Sequence, residues 1–111
     1  MATFEDLRLI DLIKKFEETV KEIETTRNLS RLKVAGSRLQ DVYDFFLTAE
    51  SGYEEQQEQL KSMFSSFNYA AVIVNNAVKN GGLTGDDNEL LNECLQIMQK
   101  CCSTVITSLN K

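Results

Sequence analysis

Histidine, proline and tryptophan are absent from this chain of 111 residues. Without histidine there is no Ser-His-Asp or Cys-His nucleophile, no imidazole metal ligand and no phosphohistidine relay, which removes most hydrolytic chemistry. Without proline nothing obliges a helix to break, a turn to go cis or a PxxP segment to be presented, so long helices are the natural expectation. An excess of positive charge is missing too: 12 Lys and Arg stand against 17 Asp and Glu, for a net charge of -5, and no stretch of the chain is basic. Nucleic-acid binding needs a clustered basic face, and attachment to anionic lipid needs a polybasic one; neither partner is expected. No apolar run approaches the roughly 18 residues of a spanning helix, so membrane insertion is not expected. Residues 1–15 are acidic early and amphipathic, without the basic n-region or cleavage site of a signal peptide. A soluble, cytoplasmic protein is the expectation.

Cysteine is scarce, and its placement excludes more than it offers. Cys94, Cys101 and Cys102 are an odd set, which cannot close as intramolecular disulfides. On one helix over residues 87–109, Cys94 and Cys101 would lie about 10 Å apart along the axis, beyond disulfide reach. A bridge between Cys101 and Cys102 would be strained, and zinc wants four ligands, usually in closely spaced pairs. Reduced cysteines acting as small buried hydrophobes are expected, with no metal and no cofactor. The acidic group Glu54, Glu55 and Glu58 sits among Gln56, Gln57 and Gln59 and reads as a solvated helix face. Gly81-Gly82-x-x-Gly85 lacks the Lys-Ser/Thr ending of a phosphate loop, follows a helix where a strand is required, and opens toward Asp86 and Asp87. Segment 85–89 lacks the ligand spacing of a calcium loop. No constellation suggests an enzyme.

What the sequence does contain is helical periodicity. Four stretches place apolar residues at steps of three and four: Leu9, Ile13, Phe16, Val20 and Ile23; then Leu32, Ala35, Leu39, Val42, Phe46 and Ala49. The third comprises Leu60, Phe64, Phe67, Ala71, Val74 and Val78, with Met63 beside it. The fourth is Leu91, Cys94, Met98, Cys101 and Val105, widened by Leu95, Cys102 and Leu109. The capping pair Thr3 and Asp6 opens the first helix, and Asp86 with Glu89 forms a box suited to the last. No glycine separates the first two stretches. A continuous helix would turn the stripe on Leu39 roughly 140° from that on Phe16, so a turn is placed near Asn28, with Asn28 capping the second helix. A further break falls at Ser51-Gly52, where glycine can end a helix in the left-handed conformation. The expected helices are 4–27, 29–50, 53–79 and 87–109. A single all-α domain over residues 1–111 follows, as an antiparallel up-down-up-down four-helix bundle. Its rival is a helical hairpin completed by dimerisation. Gly36-Ser37 within the second helix marks a slight kink or a close approach of another helix.

Several large apolar side chains are left over once each helix has an inward stripe: Leu7 and Ile10, Val34 and Phe45, and Tyr69, Val72 and Ile73. The last three stand opposite Phe67 at i, i+3, i+4 spacing, and a contiguous exposed group of this kind marks an interface. The plainer alternative is that wide helix packing buries them. In the up-down order, Leu7 and Ile10 share one end of the bundle with Phe45, while Val34 lies toward the other. These seven residues are the candidate partner-binding set of a non-catalytic interaction module or adaptor, docking another protein or its own copy as a homodimer. The second functional expectation is a carrier holding an apolar molecule among Phe46, Phe64, Phe67, Met63 and Met98.

Overall fold

The computed structural model describes residues 2–49 and 52–110. Among them are four helices: α1 (Phe4–Thr26), α2 (Leu32–Thr48), α3 (Glu54–Asn80) and α4 (Gly85–Leu109). They form a rod of 48 × 22 × 19 Å. Contacts between helices fix the directions. Arg8, early in α1, lies over the ring of Phe45, late in α2, at 5.6 Å. Glu24, late in α1, accepts a hydrogen bond from Gln99 of α4 at 3.2 Å. Gln56, in the first turn of α3, donates to Ser108, in the last turn of α4, at 2.9 Å. The bundle is therefore antiparallel and up-down-up-down, with α1 against α2 and α4, and α3 against α4. It closes within one chain, without the dimerised hairpin.

The helix ends follow local chemistry. Thr3 Oγ1 accepts from the Asp6 N–H at 3.1 Å while Asp6 Oδ2 accepts from the Thr3 N–H at 3.0 Å, the reciprocal box expected for α1. The break after α1 falls where the stripe phase requires it, but Arg27 makes it, in the left-handed conformation with φ 57°. Asn28 does not cap α2: its side-chain oxygen accepts from Ser30 Oγ, and a 3-10 turn over Leu29–Arg31 leads into the helix. With 17 residues, α2 is about 26 Å long, shorter than expected. The expected end of the second helix at residue 50 and the break at Ser51 lie outside the described residues, while Gly52 adopts the positive φ of 116° that favours glycine. The last helix starts two residues early. Thr84 is its cap and exchanges hydrogen bonds with Asp87, both at 3.1 Å, in place of Asp86 with Glu89. Both spacings satisfy the capping pattern, and the extended backbone at Thr84 selects the first.

One cluster of buried side chains runs through all four helices. The stripes read from sequence for α1 and α4 are buried throughout, and Leu32, Ala35, Leu39 and Val42 of α2 join them. Cys94, Cys101 and Cys102 are free and buried. Three residues expected to point outward are corrected. Ile10 is buried because α1 packs on two neighbours and so buries a face wider than one stripe. Phe45 is buried beneath Arg8 and against Tyr53, whose ring lies 5.5 Å away at 72°. Ile73 is buried because α3 is rotated by about one residue, roughly 100°, from the expected phase. The inward face of α3 is Leu60, Met63, Ser66, Ala70, Ile73 and Ala77. Small side chains on that face let α3 approach α4 closely, the tightest pairing in the bundle. The larger stripe of Phe64, Phe67, Ala71 and Val74 is only half-buried, and Val78 is exposed.

Candidate functional site

The rotation of α3 turns its larger apolar residues toward α2, and the two helices touch sparingly. Beyond the packing of Phe45 and Phe46 on Tyr53 at the start of α3, two contacts mark the seam. The ring of Tyr43 meets that of Phe64 edge-on, with centroids 5.8 Å apart. Phe67 sits on Gly36, where a Cβ would come within 2.9 Å of the ring Cζ. The sequence reading of Gly36 as a point of close approach is thereby given its partner. A larger residue at position 36 would push the ring outward.

On either side of Phe67 the seam opens into a hollow. One has a volume of about 450 Å³ and is walled by Tyr43, Phe46, Leu47, Leu60 and Phe64, with Gln57, Lys61 and Ser65 at its edge. The other, of about 440 Å³, is walled by Leu29, Leu32, Ala71, Val74 and Val78, with Ser30, Lys33 and Asn75. Together they make an apolar groove along one side of the rod. Leu47 is 64% exposed and Val78 77%. Neither is required by the core, which is closed by other residues.

The seven residues expected to bind a partner are not brought together. Ile10, Phe45 and Ile73 lie in the core and Val34 is half-buried, while Leu7 is exposed on α1, at the same end as Ile10 and Phe45 but outside the core that buries them. Tyr69 and Val72 are exposed, at 53% and 57%. Tyr69 belongs to the other flank of α3, beside Leu90 and Ile97 of α4. The groove residues Tyr43, Leu47, Phe64, Phe67, Val74 and Val78 were missed as a surface, because the longest stripe on α3 reads as its core face. The signal that could have corrected this is the parallel stripe of small residues Ser66, Ala70 and Ala77, one position earlier.

Other chemistry is absorbed by structure. Burial pushes all three thiols upward, helped at Cys94 by the charge of Glu93, so none favours the reactive thiolate. Cys102 Sγ rests 3.9 Å from Met63 Sδ inside the core. Glu54, Glu55 and Glu58 are exposed, and Glu58 pairs with Lys61 at 3.1 Å. Among the described residues no three Cys, Asp or Glu side chains gather as a metal site, and no helix is long and apolar enough to cross a membrane. Burial raises the Tyr53 phenol to about 12, reinforced by its hydrogen bond to Asp6 Oδ1 at 2.8 Å. Asp6 is held below the usual carboxylate range, chiefly by the Thr3 N–H and then by Tyr53. This pair ties the start of α3 to the start of α1 and serves the fold.

The groove is thus the feature that the fold leaves unexplained. No family model, curated protein or solved structure matches the chain. Its function rests on its own residues.

Proposed function

We propose that this protein is a non-catalytic, cytoplasmic interaction module that receives a helix of a partner protein in the groove between α2 and α3. One observation carries the reading: large apolar side chains line two hollows along the seam, one on either side of Phe67, and the most exposed of them, Leu47 and Val78, lie outside the core cluster. A helix laid there would cover Leu47 and Val78, and burying a side chain of that size contributes about 1.5–3 kcal/mol. Docking of an apolar helix face into a groove is a recurrent mode of peptide recognition. The double variant Leu47→Glu/Val78→Glu places two charges in the seam at exposed positions. It should abolish partner binding and leave the helical circular-dichroism signal and melting temperature unchanged. Unimpaired binding by that variant would remove the groove from the account. Light scattering distinguishes the self-docking form of the proposal, in which the wild type is a dimer and the double variant a monomer.

A second reading is favoured by the hollows themselves, whose volumes lie within the range of small-molecule sites. The carrier expectation then moves from the core to the seam: Met63 and Met98 are fully buried, but Phe46, Phe64 and Phe67 face the groove. Native mass spectrometry of protein purified from its source supports a carrier if a stoichiometric apolar molecule is retained.

A further inference from the structure

We infer that α2 is a detachable strap: it opens as one cooperative unit while α1, α4 and α3 stay folded together. The inference holds whatever the groove receives. Packing sets α2 apart. It rests mainly on α1 and touches α3 sparingly, whereas α1 and α3 are each joined directly to α4. Lifting α2 leaves those three helices in contact through α4, across interfaces that keep the hydrogen bond from Gln99 to Glu24 and the buried contact of Cys102 with Met63. The strap also buries least: five side chains, against seven or eight on each of the other helices.

Local chemistry points the same way. α1 and α4 each open with a reciprocal capping box, and α3 starts with Glu54 and Glu55 and ends in the left-handed Gly81. α2 has no side chain capping its start and no acid in its first turn. Gly36 and nine β-branched, aromatic, Ser or Asp residues make up ten of its 17 positions. All are weak helix formers, so this segment needs its packing to stay helical. Its ties to the other helices are few. Arg31, at its start, pairs with Glu22 at 3.1 Å, but the two side chains are 36% and 44% exposed, a setting in which an ion pair adds little. Arg8 covers Phe45, the rings of Phe45 and Phe46 meet that of Tyr53, Tyr43 meets Phe64, and Phe67 rests on Gly36. Each of these contacts needs α2 to be helical and in place, so they are lost together when it lifts, and the opening is cooperative.

The test is native-state hydrogen exchange on the full-length protein, read amide by amide by NMR at rising urea below the unfolding transition. The amides of Leu39 and Val42 should exchange at least about tenfold faster than those of Phe16, Met63 and Met98, as one group and with a weaker urea dependence, because the opening exposes less surface than global unfolding. Lys100→Gly, at an exposed interior position of α4, lowers helix propensity outside the strap. It should speed the slow amides of α1, α3 and α4 about threefold and leave those of α2 unchanged, since α4 stays helical when α2 opens. Equal rates and one urea dependence in all four helices, or α2 amides that respond to Lys100→Gly as the rest do, overturn the inference. So does α3 exchanging ahead of α2.

Discussion

Replacing Ile73 by Asp tests the rotation of α3, on which the groove depends. Ile73 is 7% exposed and lies in the main core cluster, whereas the preceding Val72 is 57% exposed. Burial of an isoleucine is worth about 1.5–3 kcal/mol, and an unpartnered polar group left in its place costs about 1–3 kcal/mol more. Ile73→Asp should therefore destabilise the fold by about 2.5–6 kcal/mol, a large part of the 5–15 kcal/mol available to a typical domain. Val72→Asp should stay within about 0.5 kcal/mol of wild type, as ordinary surface changes do. Urea denaturation followed by circular dichroism at 222 nm measures both. At about 4–8 °C per kcal/mol for a domain near this size, the buried variant should melt at least about 10 °C lower or fail to fold cooperatively. Had α3 kept the phase read from its largest residues, Ile73 would face solvent and both variants would be mild. A mild Ile73→Asp would refute the rotation and remove the reason for an open seam.

Two further outcomes follow from single contacts. Gly36→Ala gains about 1 kcal/mol of helix propensity but must displace the Phe67 ring, at about 0.5–1.5 kcal/mol for a strained side chain. It should be close to neutral in the wild type and stabilising by about 1 kcal/mol in a Phe67→Ala background; equal effects in the two backgrounds would show that the ring does not rest on Gly36. Because the folded-state pKa of Asp6 is lowered, its contribution is present above its ordinary value of 3.8 and is lost as pH falls through the folded value. Between pH 5 and 2 the wild type should lose more stability in urea than Asp6→Asn does, and parallel losses would show that Asp6 has no such role.

The sequence is most informative where a helix has a single dominant apolar stripe. In α1 and α4 the stripes from Leu9 to Ile23 and from Leu91 to Leu109 outweigh the few apolar residues outside them, and every residue of the two stripes is buried. Phase also located the turn near Asn28, although the left-handed residue is Arg27, and no local pattern singles out an arginine for that conformation. In α3 two stripes lie one residue apart, and size favours the wrong one. Phe64 and Phe67 outweigh Ser66 and Ala70 on any hydrophobic scale, but close approach to α4 is decided by what is small. Phe45 was illegible for a different reason. Its cover comes from Arg8 and Tyr53, residues remote in sequence that meet only once α1 and α3 begin at the same end. The groove is a consequence of both facts, so it could not be read from any one helix.

The most direct test of the groove is amide chemical-shift mapping of the isotope-labelled protein during titration with an amphipathic helix recovered by selection from a displayed library. The account predicts perturbations concentrated on the groove-facing residues of α2 and α3, Leu29 to Leu47 and Gln57 to Val78, with the outer faces of α1 and α4 unchanged. Perturbations centred instead on Tyr69, Leu90 and Ile97, or on α1, would contradict it.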